Sequence, residues 1–201
     1  MVKLVNQTIF ASKIKEKKLF IFTAANICAL FGVSAVAVAG LLHRYKKRGF
    51  ILQIKRGLYA FPDALPSDLY IANKIYSPSY ISLEFALAYH GVIPEIVYEI
   101  TSVTTKATRR FKVKVLGKIF SYRKIKKVAY TGYNIQKLQG ISFNIADAEK
   151  AFVDENYLRL LSKQKPISRF RKEKINQVRA IQYAELFGNQ KLISIIKTTL
   201  K

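Results

Sequence analysis

The residues of this chain best suited to chemistry are cations, and they fall into two groups. Arg44, Lys46, Lys47 and Arg48 close an apolar stretch, and Lys55 and Arg56 follow just before Gly57. Guanidinium and ammonium groups clustered so closely suit the oxygens of a phosphate backbone better than base edges. The second group comprises Arg109, Arg110 and Lys112, then Arg123, Lys124, Lys126 and Lys127. It lies in residues 100–146, a span without an acidic residue. Charges on a strand can merely block edge pairing, but that accounts for two or three lysines and not for an acid-free belt. Other chemistry is thin. The two histidines stand far apart with no partner at ligand spacing, and His90 reads as a helix-end residue satisfying a carbonyl. Neither a Gly-rich phosphate loop nor a nucleophile elbow occurs. Glu149, Asp154 and Glu155, near Lys150, read as solvated charge rather than a paired acid and base. The expectation is a binding protein, not an enzyme, with no metal and no cofactor.

The whole chain carries a formal charge of +23 over 201 residues. Such a surplus repels itself unless a polyanion or anionic surface offsets it, so nucleic acid, an acidic protein or a membrane surface are the candidate partners. Half the residues are apolar, enough for a buried core. The single cysteine, Cys28, cannot form an internal disulfide and reads as a small buried hydrophobe in a reducing cytoplasm. The N-terminus does not read as a signal peptide. The expected location is cytoplasmic.

The first cationic group must be positioned by residues 20–62. Residues 19–42 hold 24 consecutive uncharged positions, long enough to cross a bilayer. Six of them are Ala, two are Gly, and Asn26 lies among them, which weakens a membrane span. Local punctuation favours short helices. Thr23 caps one, Gly32 ends it, Ser34 caps a second and Gly49 ends that. Ile27, Leu30 and Phe31 form one apolar stripe, and Val38, Leu41, Leu42 and Tyr45 form another. Residues 5–18 have the spacing of a preceding helix with a basic outer face. Lys55, Arg56 and Gly57 turn a hairpin between residues 50–54 and 58–61. Helix, tight turn, helix and basic-tipped hairpin is the order of a winged helix-turn-helix. Its base-facing turn reads Ser34, Ala35, Val36, Ala37. Ser34 is committed to the cap, and Ala and Val touch thymine methyls without a bidentate hydrogen bond. The expected DNA contacts are these four with Arg44, Lys47, Arg48, Lys55 and Arg56, binding phosphates well and reading bases weakly.

Pro62 and Pro66 mark a boundary, giving domains over residues 1–62 and 63–201. In the second, helices are predicted over 67–75 and 82–89, the latter capped by Ser82. Strands are predicted over 98–103, 111–115, 119–125, 128–133 and 140–145. A helix capped by Asp147 covers 148–161, packing Ala151, Phe152, Tyr157, Leu158 and Leu161. Two more helices meet at Gly188, the first with Ile175, Val178, Ile181 and Leu186 on one face. Lys112, Lys114 and Lys118 alternate with Phe111, Val113 and Val115, implying one apolar and one cationic sheet face. The expected fold is α+β: an N-terminal winged helix-turn-helix, then a mixed α/β C-terminal domain with an antiparallel sheet and C-terminal helices.

Four segments carry a family resemblance: KRGLYAFP at 55–62, PSYISLEFALAYHGVIPE at 78–95, TSVTTKATRRF at 101–111 and IADAEKAFVD at 145–154. In this order the chain resembles the AbiEi-type antitoxin and transcriptional regulator family of type IV toxin–antitoxin systems, over about residues 20–160. The resemblance implies a protein that represses its own operon by binding promoter repeats in double-stranded DNA. It also implies a C-terminal domain that antagonises a cognate nucleotidyltransferase toxin. By the resemblance, the wing falls on Lys55, Arg56 and Gly57, and the recognition helix on residues 34–48. The antitoxin surface includes Arg109, Arg110, Arg123 and Lys124, with Lys112, Lys126 and Lys127 of the same belt. The Ala-rich start of the recognition helix departs from the family pattern, and residues 166–201 have no counterpart in it. Two alternatives from other classes are a basic protein-interaction module and a membrane-attached basic protein.

Overall fold

A computed structural model describes residues 6–201, and Asn6 opens its first helix by accepting a 2.9 Å hydrogen bond from the Thr8 amide. Val5, predicted to begin this helix, lies outside the described residues. The chain divides into two units, Met1–Ser67 with Val113–Leu116, and Asp68–Lys112 with Gly117–Lys201. Its architecture is mixed α+β.

In the first unit, α1 (Gln7–Glu16) buries Phe10 and Ile14. Thr23 and Asn26 cap α2 (Ala24–Phe31) reciprocally: the Asn26 amide donates to Thr23 Oγ1 at 3.2 Å, and the Thr23 amide to Asn26 Oδ1 at 2.9 Å. Gly32 ends the helix at φ 63°, a conformation that costs a residue with a Cβ. Ser34 then caps α3 (Ala35–Lys47), accepting from the Ala37 amide at 3.3 Å. The two helices meet at 116°. Strands β1 (Leu52–Lys55) and β2 (Leu58–Ala60) form an antiparallel hairpin. Phe22 joins it through paired 2.9 Å backbone bonds with Tyr59.

The core of this unit is aromatic. The Phe10 ring meets those of Tyr45, Phe31, Phe22 and Phe61 at centroid distances of 5.1, 5.7, 5.9 and 6.1 Å. Ile27, Val38, Leu41 and Leu42 complete it. Each such side chain contributes about 1.5–3 kcal/mol when fully buried, so the uncharged run supplies the core of a folded unit. No single helix among the described residues is long and apolar enough to cross a membrane. Cys28 is half-buried rather than buried.

The second unit begins with α4 (Asp68–Ile75), β3 (Ser79–Ile81) and α5 (Leu83–Tyr89). Strands β4 (Ile100–Thr104), β5 (Arg109–Val113), β6 (Lys118–Lys124), β7 (Tyr133–Leu138) and β8 (Ile141–Ala146) follow. Helices α6 (Ala148–Leu161), α7 (Gln177–Glu185) and α8 (Gln190–Thr199) close the chain. The six strands lie in the order β5-β6-β4-β3-β8-β7.

Several expectations are corrected. The sheet is mixed, not antiparallel: β3 is antiparallel to β4 but parallel to β8, and β4 is parallel to β6. The strand between β4 and β8 is β3, too short for a period-two pattern to reveal. Residues 128–133 are not a strand, because Lys127–Ala129 form a 3-10 turn and β7 starts at Tyr133. The alternation through residues 111–115 also breaks. Lys114–Leu116 are a 3-10 turn, and Val115 is exposed. Leu161 and Val178 are exposed, as are Leu186 and Tyr89 to a lesser degree. The buried face of α7 is instead Ala180 and Ala184, small side chains that let helices approach closely.

Candidate functional site

The first cationic group stands on α3 and the hairpin. Ser34 Oγ is taken by the cap, as its position predicts. Ala35 and Val36 are exposed, Val36 by 85%, while Ala37 is only partly so. Successive outward positions of α3 are Val36, Ala39, His43 and Lys47, all exposed and spaced as one helical stripe. His43, which the sequence did not single out, lies on this stripe. Its signal is the spacing, seven residues after Val36 and four before Lys47 on the same face.

Gly40 adds a second feature. A Cβ placed there would lie 3.5 Å from Arg44 Nη1, so the guanidinium folds back over Gly40. Helix side chains lean toward the N-terminus, which carries this charge to the middle of α3. Lys46 Nζ donates to Gln53 Oε1 at 3.2 Å, tying the end of α3 to β1. Lys47 and Arg48 are exposed, as is Arg56 at the hairpin turn, while Lys55 is half-buried. Gly57 completes the turn at φ 79°.

The second cationic group is not one continuous surface. Arg110 grips Glu99 with two hydrogen bonds, Nε at 3.1 Å and Nη2 at 2.7 Å. That hydrogen bonding holds the Glu99 carboxyl below the usual carboxylate range, against the opposing effect of partial burial. Lys126 Nζ donates to the Phe187 carbonyl, a structural task at the end of α7. Lys118 meets Asp68 at 3.2 Å. Folding therefore brings acids onto the belt from outside the acid-free span. Lys112, Lys124 and Lys127 remain exposed.

Arg109 and Arg123 line a cleft of about 450 Å³ together with Arg110 and Arg159. Among the described residues, no carboxylate lies within 4.0 Å of Arg109 or Arg123. Arg159, which the sequence did not single out, donates through Nε to Glu155 at 2.6 Å and through Nη2 to Glu84 at 3.2 Å. Burial pushes the Glu155 carboxyl up, and the Arg159 hydrogen bond opposes this.

The acids of α6, Glu149, Asp154 and Glu155, are buried rather than solvated. Asp154 is fully buried and ion-paired with Lys150, also fully buried. Its other oxygen accepts from Tyr80 Oη at 3.0 Å and from Ser82 Oγ at 2.8 Å. Ser82 precedes α5 but makes no capping hydrogen bond, because its hydroxyl is directed to Asp154. Burial drives the Asp154 carboxyl upward despite these donors. With solvent excluded, the cluster is a structural tie between α6 and β3. Asp147 caps α6 as predicted, through the Lys150 amide at 2.7 Å, and also accepts from Arg179 and Tyr183, each at 2.7 Å. His90 Nε2 lies 2.7 Å from the Ala146 carbonyl.

No protein-family model matches the chain, and a search of curated proteins finds no relative.

Proposed function

We propose that the first unit is a winged helix-turn-helix that binds double-stranded DNA, within a cytoplasmic, non-enzymatic antitoxin and autorepressor. The observation that carries this is the 116° angle between α2 and α3 across the three residues Gly32, Val33 and Ser34. Helix-turn-helix pairs cross at about 90–120° over turns of about this length, often with Gly. The hairpin that follows, joined to Phe22 through Tyr59, supports assigning the wing to Lys55, Arg56 and Gly57.

In this reading α3 enters the major groove. Ala35, Val36 and Ala37 meet thymine methyls, while His43 and the folded-back Arg44 supply the polar contacts that the Ala-rich start lacks. Lys47, Arg48, Lys55 and Arg56 hold phosphates. The resemblance of the motifs at 55–62, 78–95, 101–111 and 145–154 to AbiEi-type antitoxins extends the proposal to antagonism of a nucleotidyltransferase toxin. The residues available for that surface are Arg109, Lys112, Arg123, Lys124 and Lys127. Arg110 and Lys126 are engaged within the protein.

The test is fluorescence anisotropy with DNA from upstream of the chain's own reading frame against a random duplex, over a salt series. About six phosphate contacts give a log–log slope near −5. Equal affinity for both duplexes at every salt concentration would remove the repressor role, and no binding to either would remove the DNA-binding role. Co-expression with a neighbouring nucleotidyltransferase tests the antitoxin role, which fails if growth is not rescued. The exposed Val36 favours a second reading, a protein-interaction module. Undiminished rescue by a chain with Lys47, Arg48, Lys55 and Arg56 all changed to Ala would support it.

A further inference from the structure

Two guanidinium groups on neighbouring strands line one cleft of the second unit, and among the described residues neither has a carboxylate within 4.0 Å. Strands β5 and β6 are adjacent, and the Lys124 amide donates to Thr108 Oγ1 at 3.2 Å. Thr108 therefore lies beside Lys124, and Arg109 and Arg123 come from adjoining positions into the same cleft. Like charges side by side on a sheet are destabilising. The three carboxylates of the cleft do not relieve them. Glu99 is held by Arg110, while Glu84 and Glu155 both bond Arg159. Arg123 reaches Glu155 only through its field, which opposes the upward push of burial on that carboxyl and ranks behind the Arg159 hydrogen bond.

The lining of the cleft also includes the apolar Leu83, Val97 and Leu158 and the polar Ser162 and Gln164. A cavity of about 450 Å³ is within the range that holds small ligands, about 300–1,000 Å³. Guanidinium forks match phosphate oxygens two at a time, which an ammonium cannot do.

We propose that this cleft binds a nucleoside phosphate. Arg109 and Arg123 take the phosphate oxygens, the base lies against Leu83, Val97 and Leu158, and Ser162 and Gln164 meet its polar edge. A free nucleotide and the terminal nucleotide of an RNA present the same chemistry. The proposal uses the second unit alone, so its failure would leave the DNA-binding reading of the first unit standing.

The experiment is isothermal titration of the full chain, at about 0.15 M salt to screen the general positive charge. The probes are ATP, GTP, CTP, tripolyphosphate and an RNA hairpin with a single-stranded 3′ end. The expected result is that a nucleotide or the RNA binds at least about tenfold more tightly than tripolyphosphate, since the base adds apolar contact. Arg109→Ala and Arg123→Ala should each weaken that binding by about tenfold, the scale of a lost charged hydrogen bond. Lys191→Ala, which removes an exposed charge on α8, should leave it unchanged. Arg109→Lys and Arg123→Lys keep the charge and the fold but lose the fork, and should weaken binding nearly as much as the Ala variants. Binding by free nucleotides identifies a free ligand, and binding by the RNA alone identifies a terminal nucleotide. Three results would overturn the proposal: no binding by any nucleotide or RNA, tripolyphosphate binding as tightly as they do, or Arg variants no weaker than Lys191→Ala.

Discussion

Lys150 and Asp154, one turn apart on α6, form an ion pair that solvent does not reach, each side chain being 0% exposed. Tyr80 and Ser82 donate to the same carboxylate from β3 and the residue after it. The pair thus anchors the longest helix of the second unit to a strand near the centre of its sheet.

Lys150→Met should cost about 3–5 kcal/mol, because it leaves a buried carboxylate without its cation. Changing both residues, Lys150→Met with Asp154→Asn, should cost less than the single change, since no uncompensated charge remains and the amide oxygen still accepts from the Tyr80 and Ser82 hydroxyls. Urea unfolding of the three proteins measures this. A single variant within about 1 kcal/mol of the parent would show that the pair is not buried as described.

Glu99 and Glu155 should respond to pH with opposite signs. The Arg110 hydrogen bonds lower the Glu99 pKa from its ordinary 4.5. Its contribution to stability is therefore present above pH 4.5 and lost as pH falls through the depressed value. Burial raises the Glu155 pKa from 4.5, so its contribution is present below 4.5 and lost as pH rises through the raised value. Melting curves from acid to neutral pH should show Glu99→Gln flattening the acid limb. Glu155→Gln should remove part of the decline on the other side. The same slope change in both variants would contradict the assignment.

Gly32→Ala should destabilise the first unit by about 1–2 kcal/mol, the cost of a left-handed backbone for a residue with a Cβ. Nothing lies within 4 Å of that added carbon, so no clash contributes. Denaturant titration followed by far-ultraviolet circular dichroism would detect the loss. A gain in stability would mean that the turn is not left-handed.

With duplex DNA bound as proposed, Lys47→Ala and Arg56→Ala should each reduce the salt slope by about 1, with little change in sequence preference. His43→Ala and Arg44→Ala should instead narrow the gap between preferred and random duplex by about 1–3 kcal/mol. Competition anisotropy separates the two effects. A uniform loss across sequences for His43→Ala would assign that residue to the backbone.

The parts of this protein legible in one dimension are those whose causes are local. Thr23 caps α2, Gly32 and Gly57 supply left-handed turns, Ser34 caps α3, and Asp147 caps α6. Each interaction closes within a few residues, so residue type and spacing suffice. Apolar periodicity likewise placed Ile27, Val38, Leu41, Leu42 and Tyr45 in a core.

Tertiary structure decided the rest, because the deciding partner lies far along the chain. Three residues of β3 become a strand between β4 and β8 only through backbone pairing with Ser102–Thr104 and Ile145. Glu99 stood one residue outside an acid-free window, yet it folds onto Arg110. Arg159, on α6, enters the cleft that Arg109 and Arg123 reach from β5 and β6. Lys150 and Asp154 looked like any solvated pair at helical spacing. Desolvation made them something else, and it is a property of everything packed around a group, including Tyr80 and Ser82, which lie more than seventy positions from Asp154.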